Sequence, residues 1–176
     1  MLYRNAEKND AKKLWELMLQ IDRETRYMLY EEGEREKFSS PENLGKKIET
    51  SLEKGELLLL AFDGEELVGF LGASREEKRK IKHSSYVVTG ILRSHRNQGI
   101  GTEFFRRLDR WAREEGLVRL ELTVMCENEI AKHLYEKAGF VVEGRRKKSI
   151  FMDGNYLDEY AMAKILEEPR TGSDIK

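Results

Sequence analysis

Tyr86-Val87-Val88-Thr89-Gly90-Ile91-Leu92 runs through Arg93-Ser94-His95 into Arg96-Asn97-Gln98-Gly99-Ile100-Gly101-Thr102. The first seven residues read as a buried strand with one glycine, and a glycine inside a strand marks a bulge or a close backbone approach. Beyond Gly101, Phe104, Phe105, Leu108 and Trp111 recur at helical spacing as far as Glu115, and Gly116 ends the helix. A strand that passes through such a loop into a helix presents free N–H groups at the positive end of a helix dipole, where phosphate is the natural ligand. Glycine at 99 and 101 keeps side chains from holding a phosphate off the amides, and Arg96 adds charge at the loop's entrance. A P-loop is excluded because no Lys-Ser/Thr follows either glycine. The dinucleotide fingerprint is excluded because Phe104 stands where its third glycine belongs.

Working outward, Leu57 to Phe62 and Leu67 to Ala73 are apolar runs separated by Asp63-Gly64, the pattern of an antiparallel hairpin. Leu2 to Arg4 is a short opening strand. Asn9 or Asp10 caps a helix through about Asp22 that keeps Leu14, Trp15, Leu17, Met18 and Ile21 on one face. Thr25 to Ser39 suits a loop or short helix over a pocket, and Ser40 caps a helix with Pro41 at its first position and Gly55 past its end. Leu117 to Val124 is a strand and Asn128 to Ala138 a helix closed by Gly139. Phe140 to Val142, Lys148 to Met152 and, after Asp153-Gly154, Tyr156 to Leu166 complete the sheet. The reading is one α/β (α+β) domain over residues 1–166, a mixed, mostly antiparallel sheet flanked by helices, with 167–176 as a loose tail.

The formal charge of −1 gives no global field toward nucleic acid or a membrane surface. Cys126 is the single cysteine, and His83, His95 and His133 are scattered, so no metal is expected. With no apolar signal core and no bilayer-length run, the expected address is cytoplasmic.

Leu120-Glu121-Leu122-Thr123-Val124 precedes Asn128, and Ala131, Leu134-Tyr135-Glu136 and Gly139-Phe140 follow. Together with Arg96-x-x-Gly99-x-Gly101 this arrangement resembles the GNAT superfamily of N-acetyltransferases. The resemblance covers residues 2 to 166 and is sharpest from Tyr86 to Phe140. It implies acetyl-CoA as cosubstrate, with the pantetheine arm along Thr89, Gly90 and Ile91. The pyrophosphate would then lie on Arg96, Asn97, Gln98, Gly99, Ile100, Gly101 and Thr102. It gives Asn128 a cofactor contact beside its cap role, and Tyr135 the part of proton donor to the leaving thiolate, where packing alone would make it a core aromatic. Many family members carry proline at the position of Arg93, so the geometry of the strand end departs from the pattern. Some carry glutamate at the position of Thr123; Glu121, two residues away on the same strand face, is a displaced candidate for the general base, and a water chain is the alternative.

The acceptor site of the family implies Glu24 to Tyr30 and Tyr156 to Tyr160, with Glu24, Tyr30 and Tyr156 as candidate contacts. Acidic Glu24, Glu31, Glu34, Asp158 and Glu159 would suit a cationic amine. The expected activity is acetyl transfer to a primary amine by direct attack in a ternary complex, the acceptor being a small amine, polyamine or amino acid. Protein N-terminal acetylation and a non-catalytic acyl-CoA sensor are the alternatives, and a homodimer is a family-level expectation. The basic run Arg145-Arg146-Lys147-Lys148 reads as a solvated strand connection.

Overall fold

Asp63 and Gly64 turn β2 (Leu57–Asp63) back into β3 (Glu66–Arg75), with Asp63 opposite Glu66 and Gly64 at φ 57°, a conformation glycine adopts without strain. The computed structural model of the chain describes residues 1–166, so the tail expected over 167–176 lies outside the described residues. β1 (Leu2–Asn5) pairs with β2, and β4 (Ser84–Ile91), β5 (Arg119–Met125), β7 (Asn155–Ile165) and β6 (Val141–Met152) extend the sheet. The strand order is β1-β2-β3-β4-β5-β7-β6, and β4 with β5 is the parallel pair in an otherwise antiparallel sheet.

Helices cover both faces. α1 (Ala11–Glu24) and α3 (Pro41–Glu53) pack together on one face, where Ile21 meets Phe70 and Gly90. On the other, α4 (Ile100–Glu114) sets Phe104 against Gly69, and α5 (Glu129–Lys137) packs Tyr135 on Phe105. Leu14, Ile21, Leu60, Leu71, Phe104 and Leu108 are at most 1% exposed. Each such side chain contributes about 1.5–3 kcal/mol by leaving water.

Helix stops follow glycine chemistry. Gly116 (φ 65°) lets the Leu117 amide donate back to the Ala112 carbonyl, and Gly139 (φ 93°) does the same for Phe140 and Tyr135. That return bond keeps Leu117 out of β5, which starts at Arg119 rather than Leu117. Ser40 caps α3 by accepting from the Asn43 amide at 3.3 Å. α1 departs from the expected cap: Asp10 accepts from the Glu7 amide and from Arg4, so its carboxylate serves the chain before the helix.

Two further expectations change. Gly90 marks no bulge, because β3 and β4 stay in register from Gly69↔Ile91 to Arg75↔Ser85; its hydrogen is required since a Cβ would lie 2.9 Å from both Ile21 and Phe70. The basic run is no connection. β6 is one strand that bulges between Arg146 and Ile150, with Lys148 at φ 55°, and carries the run along the exposed outer edge of the sheet. Of Thr25 to Ser39, α2 (Arg35–Phe38) is helical.

Candidate active site

β4 and β5 are paired over Ser84↔Arg119, Ser85↔Leu120 and Tyr86↔Glu121. Beyond that point they diverge, leaving the β5-facing edge of Val87–Ile91 unpaired. Tyr86 and Thr123 bridge the opening gap by a hydroxyl–hydroxyl hydrogen bond of 2.8 Å. A cavity of about 1120 Å³ fills the cleft and continues under α1 and α3.

At one end of the cleft lies the glycine loop. Asn97 (φ 61°) and Gly99 (φ 83°) are both left-handed, an alternation that turns successive amides to one side. Among the described residues the amides of Asn97 to Thr102 have no acceptor; the first bond of α4 runs from the Glu103 amide to the Gly99 carbonyl at 3.0 Å. This is a ready anion cradle at a helix N-terminus. Arg96 borders it with its Nε on the Ile91 carbonyl at 3.1 Å, whereas the Gln98 side chain turns back to the Ser94 carbonyl and does not line the cavity. The two glycines serve different ends. Gly99 supplies the left-handed turn, while Gly101 makes room for Leu134, whose Cδ2 would lie 2.7 Å from a Cβ there.

Arg93, at the departure from the proline pattern, is fixed another way. Its amide, which proline would lack, donates to the Glu24 carboxylate at 2.6 Å, and its guanidinium donates to the Glu24 carbonyl. Glu24 thus ties the end of α1 to the glycine loop and does not line the main cavity.

Across the cleft, Asn128 lines the cavity and caps α5 by accepting from the Ala131 amide at 3.2 Å, and its Nδ2 has no partner among the described residues. About two α-helical turns further on, Tyr135 packs edge-on against Phe105 at 5.6 Å and keeps part of its surface in the cleft. The surrounding protein desolvates its hydroxyl, and with Tyr86 nearby the pKa is pushed up to about 12.

The other candidates separate. Glu121 sits at the closed end of the divergence, is engaged by Arg119, and does not line the cavity. Tyr156 is not part of its lining either, 62% exposed and packed at a tilt on Phe151 with ring centroids 5.0 Å apart. Tyr30 does line it, its ring 4.6 Å from the Arg35 guanidinium. Asp158 is taken by Arg145 and the Lys148 amide, and Glu34 accepts from the Glu31 amide. Among the described residues the cavity's carboxylates are Glu129 and Glu159, against the cations Arg35, Lys47, Arg96 and Lys137. Tyr86 and Arg35 were not singled out by the sequence, and Glu159 was named only among the acidic residues suited to a cationic amine. No group of three or more His, Cys, Asp or Glu among the described residues could hold a metal ion, and no helix there is long and apolar enough to cross a membrane.

The acetyltransferase (GNAT) family model matches residues 13–140. The chain belongs to this family, and it is an acyltransferase enzyme. It is 30% identical over 112 residues to the L-amino acid N-acetyltransferase AaaT of Escherichia coli strain K12, a match covering 61% of this chain and 67% of that protein. The solved acetyltransferase of the GNAT family from Streptococcus pneumoniae is 26% identical with a TM-score of 0.89, covering 94% of this chain and 99% of that one. The structure of yncA, a putative acetyltransferase from Salmonella typhimurium with its cofactor acetyl-CoA, shares the fold at a TM-score of 0.84 and 18% identity, covering 96% and 95% of the two chains.

Proposed function

We propose that this enzyme transfers the acetyl group of acetyl-CoA to the primary amine of a small acceptor by direct attack within a ternary complex. The observation that carries the reading is the single cleft that joins an unengaged amide cradle, Asn97 to Thr102, to the free hydroxyl of Tyr135 through the unpaired edge of Val87–Ile91. The cradle fits a pyrophosphate, and the unpaired edge fits a pantetheine amide chain lying alongside it.

In the reaction the amine nitrogen bonds to the thioester carbon and the carbon–sulfur bond breaks. A backbone N–H at the end of β4, near Ile91, suits the oxygen that gains charge. With a pKa of about 12, Tyr135 is far less acidic than an ordinary thiol, about 8.5. Its part is to donate a hydrogen bond to the developing thiolate; the proton released by the amine closes the balance. For the base, Glu159 replaces Glu121: it lines the cavity, where its side chain is 12% exposed, with Arg146 at 3.5 Å. A water held by the Tyr86–Thr123 hydroxyl pair would carry the proton across the cleft.

The test is release of free CoA from acetyl-CoA in the presence of amino acids, polyamines and peptide N-termini, alongside calorimetric binding of acetyl-CoA. Turnover with at least one class, reduced about 100-fold in Tyr135→Phe with acetyl-CoA affinity retained, supports the reading. Acetyl-CoA binding without turnover of any class would leave an acyl-CoA sensor.

A further inference from the structure

Resting on that reading, we propose that Arg35 binds the carboxylate of the acceptor, and that the acceptor class is an α-amino acid with an apolar side chain. Arg35 lies on α2 and lines the same cavity as the glycine loop. It is 9% exposed. Its Nε donates to Asp22 Oδ2 at 2.6 Å and its Nη2 to Asp22 Oδ1 at 3.0 Å, a two-pronged grip by a carboxylate that is itself 2% exposed. The grip uses one edge of the guanidinium. The other edge carries Nη1, whose partner among the described residues is the Met18 sulfur at 3.6 Å, a weak acceptor.

Burying an ion pair is costly and is repaid in full only when the remaining donors find partners. Here the pair is placed in the wall of a ligand cavity with strong donors left over, and Tyr30 shields one face of the guanidinium at 4.6 Å. A carboxylate on the open edge would complete the donor set with charge-assisted bonds in fork geometry. Around this point Leu14, Met18, Leu44, Ile48, Leu58 and Phe70 line the cavity, an apolar surface suited to an aliphatic or aromatic side chain. Lys47 of α3 adds a second cation with no carboxylate paired to it among the described residues. The acidic side chains that would have recognised a polyamine are engaged elsewhere or turned out of the cavity, apart from Glu129 and Glu159.

The experiment compares L-leucine, L-methionine and L-phenylalanine with their α-amides, in the wild-type enzyme and in Asp22→Asn/Arg35→Gln. The double variant removes both buried charges together, so neither is left alone. An amide's amine is less basic and more of it is unprotonated at neutral pH, so a preference for the free acid must come from binding. The expected wild-type kcat/KM favours the acids by about 10- to 100-fold, and the double variant brings the ratio to near one by raising KM for the acids. Acids and amides turned over equally by the wild type would overturn the proposal and leave acetyl transfer standing. A preference that survives in the double variant, with acetyl-CoA binding intact, overturns the role of Arg35. No turnover of any amine overturns the catalytic reading and this proposal with it. Should the double variant not fold, the wild-type comparison of acid with amide still decides the acceptor class.

Discussion

Leu134 occupies the space that a Cβ on Gly101 would need, at 2.7 Å from Cδ2 and 3.0 Å from Cδ1. The glycine loop and the helix bearing Tyr135 are therefore one packed unit, and the second glycine of the motif answers to helix contact as well as to the ligand. Gly101→Ala is expected to cost about 1–3 kcal/mol of stability by overpacking. Leu134→Ala in the same chain should return part of it, a coupling of about 0.5–3 kcal/mol in a urea double-mutant cycle. A loss of acetyl-CoA affinity with unchanged stability would instead place the glycine's role wholly at the ligand.

Asn128 holds two functions on two atoms. Its Oδ1 caps α5, its side chain borders the cleft, and its Nδ2 has no partner among the described residues. Asn128→Asp keeps the acceptor and removes the donor, so stability should stay within about 0.5 kcal/mol while acetyl-CoA affinity falls about tenfold. Asn128→Ala should lose both, with about 1 kcal/mol of stability gone. Calorimetry paired with thermal unfolding separates the two.

The base assignment is decided by exchanging Glu159 and Glu121 in turn. Glu159→Gln should lower kcat about 100-fold, since it removes the carboxylate that takes the amine's proton. Glu121→Gln should change kcat less than about threefold, because its carboxylate is engaged by Arg119 outside the cavity. The reverse order would restore Glu121.

Asp10 provides a stability test at acid pH. Hydrogen bonds from Arg4, opposed by desolvation and aided by the Glu7 amide, hold its pKa below the ordinary 3.8. A depressed pKa gives stability that is present above the unfolded value and is lost as pH falls through the folded one. Arg4→Met should therefore cost about 0.5–1 kcal/mol at pH 7. The gap between wild type and variant should narrow on acidification below about pH 4 in urea titrations. A gap independent of pH would assign the loss to the stacking of Arg4 on Phe62, 4.7 Å away.

Elements whose signal is local were legible from the sequence. Ser40-Pro41 started α3 as expected, Gly116 and Gly139 ended α4 and α5, and Asp63-Gly64 made its hairpin, because each depends on the backbone chemistry of a few adjacent residues. The loop from Arg96 to Gly101 was legible for the same reason. Tyr156 falls outside the cavity lining because it precedes the β5 pairing of β7, which spans Glu159 to Ile165, and pairs with β6 alone at Phe151, a boundary that the strand's own alternation does not show. Glu121 was drawn in because same-face residues on β5 look equivalent along the strand. Only the point where β4 stops pairing, at Tyr86↔Glu121, puts Thr123 in the cleft and leaves Glu121 outside it.

What the sequence determined by itself, then, was the glycine-loop end: a strand, a loop with two glycines and a helix whose first amides are free, all set by contiguous residues. The proposed acceptor end depends on tertiary structure alone. Asp22 and Arg35 are thirteen residues apart on different helices, and Lys47 and Glu159 come from still more distant elements. Their meeting in one cavity depends on how α1, α2 and α3 pack over the diverging strands, which no local pattern encodes.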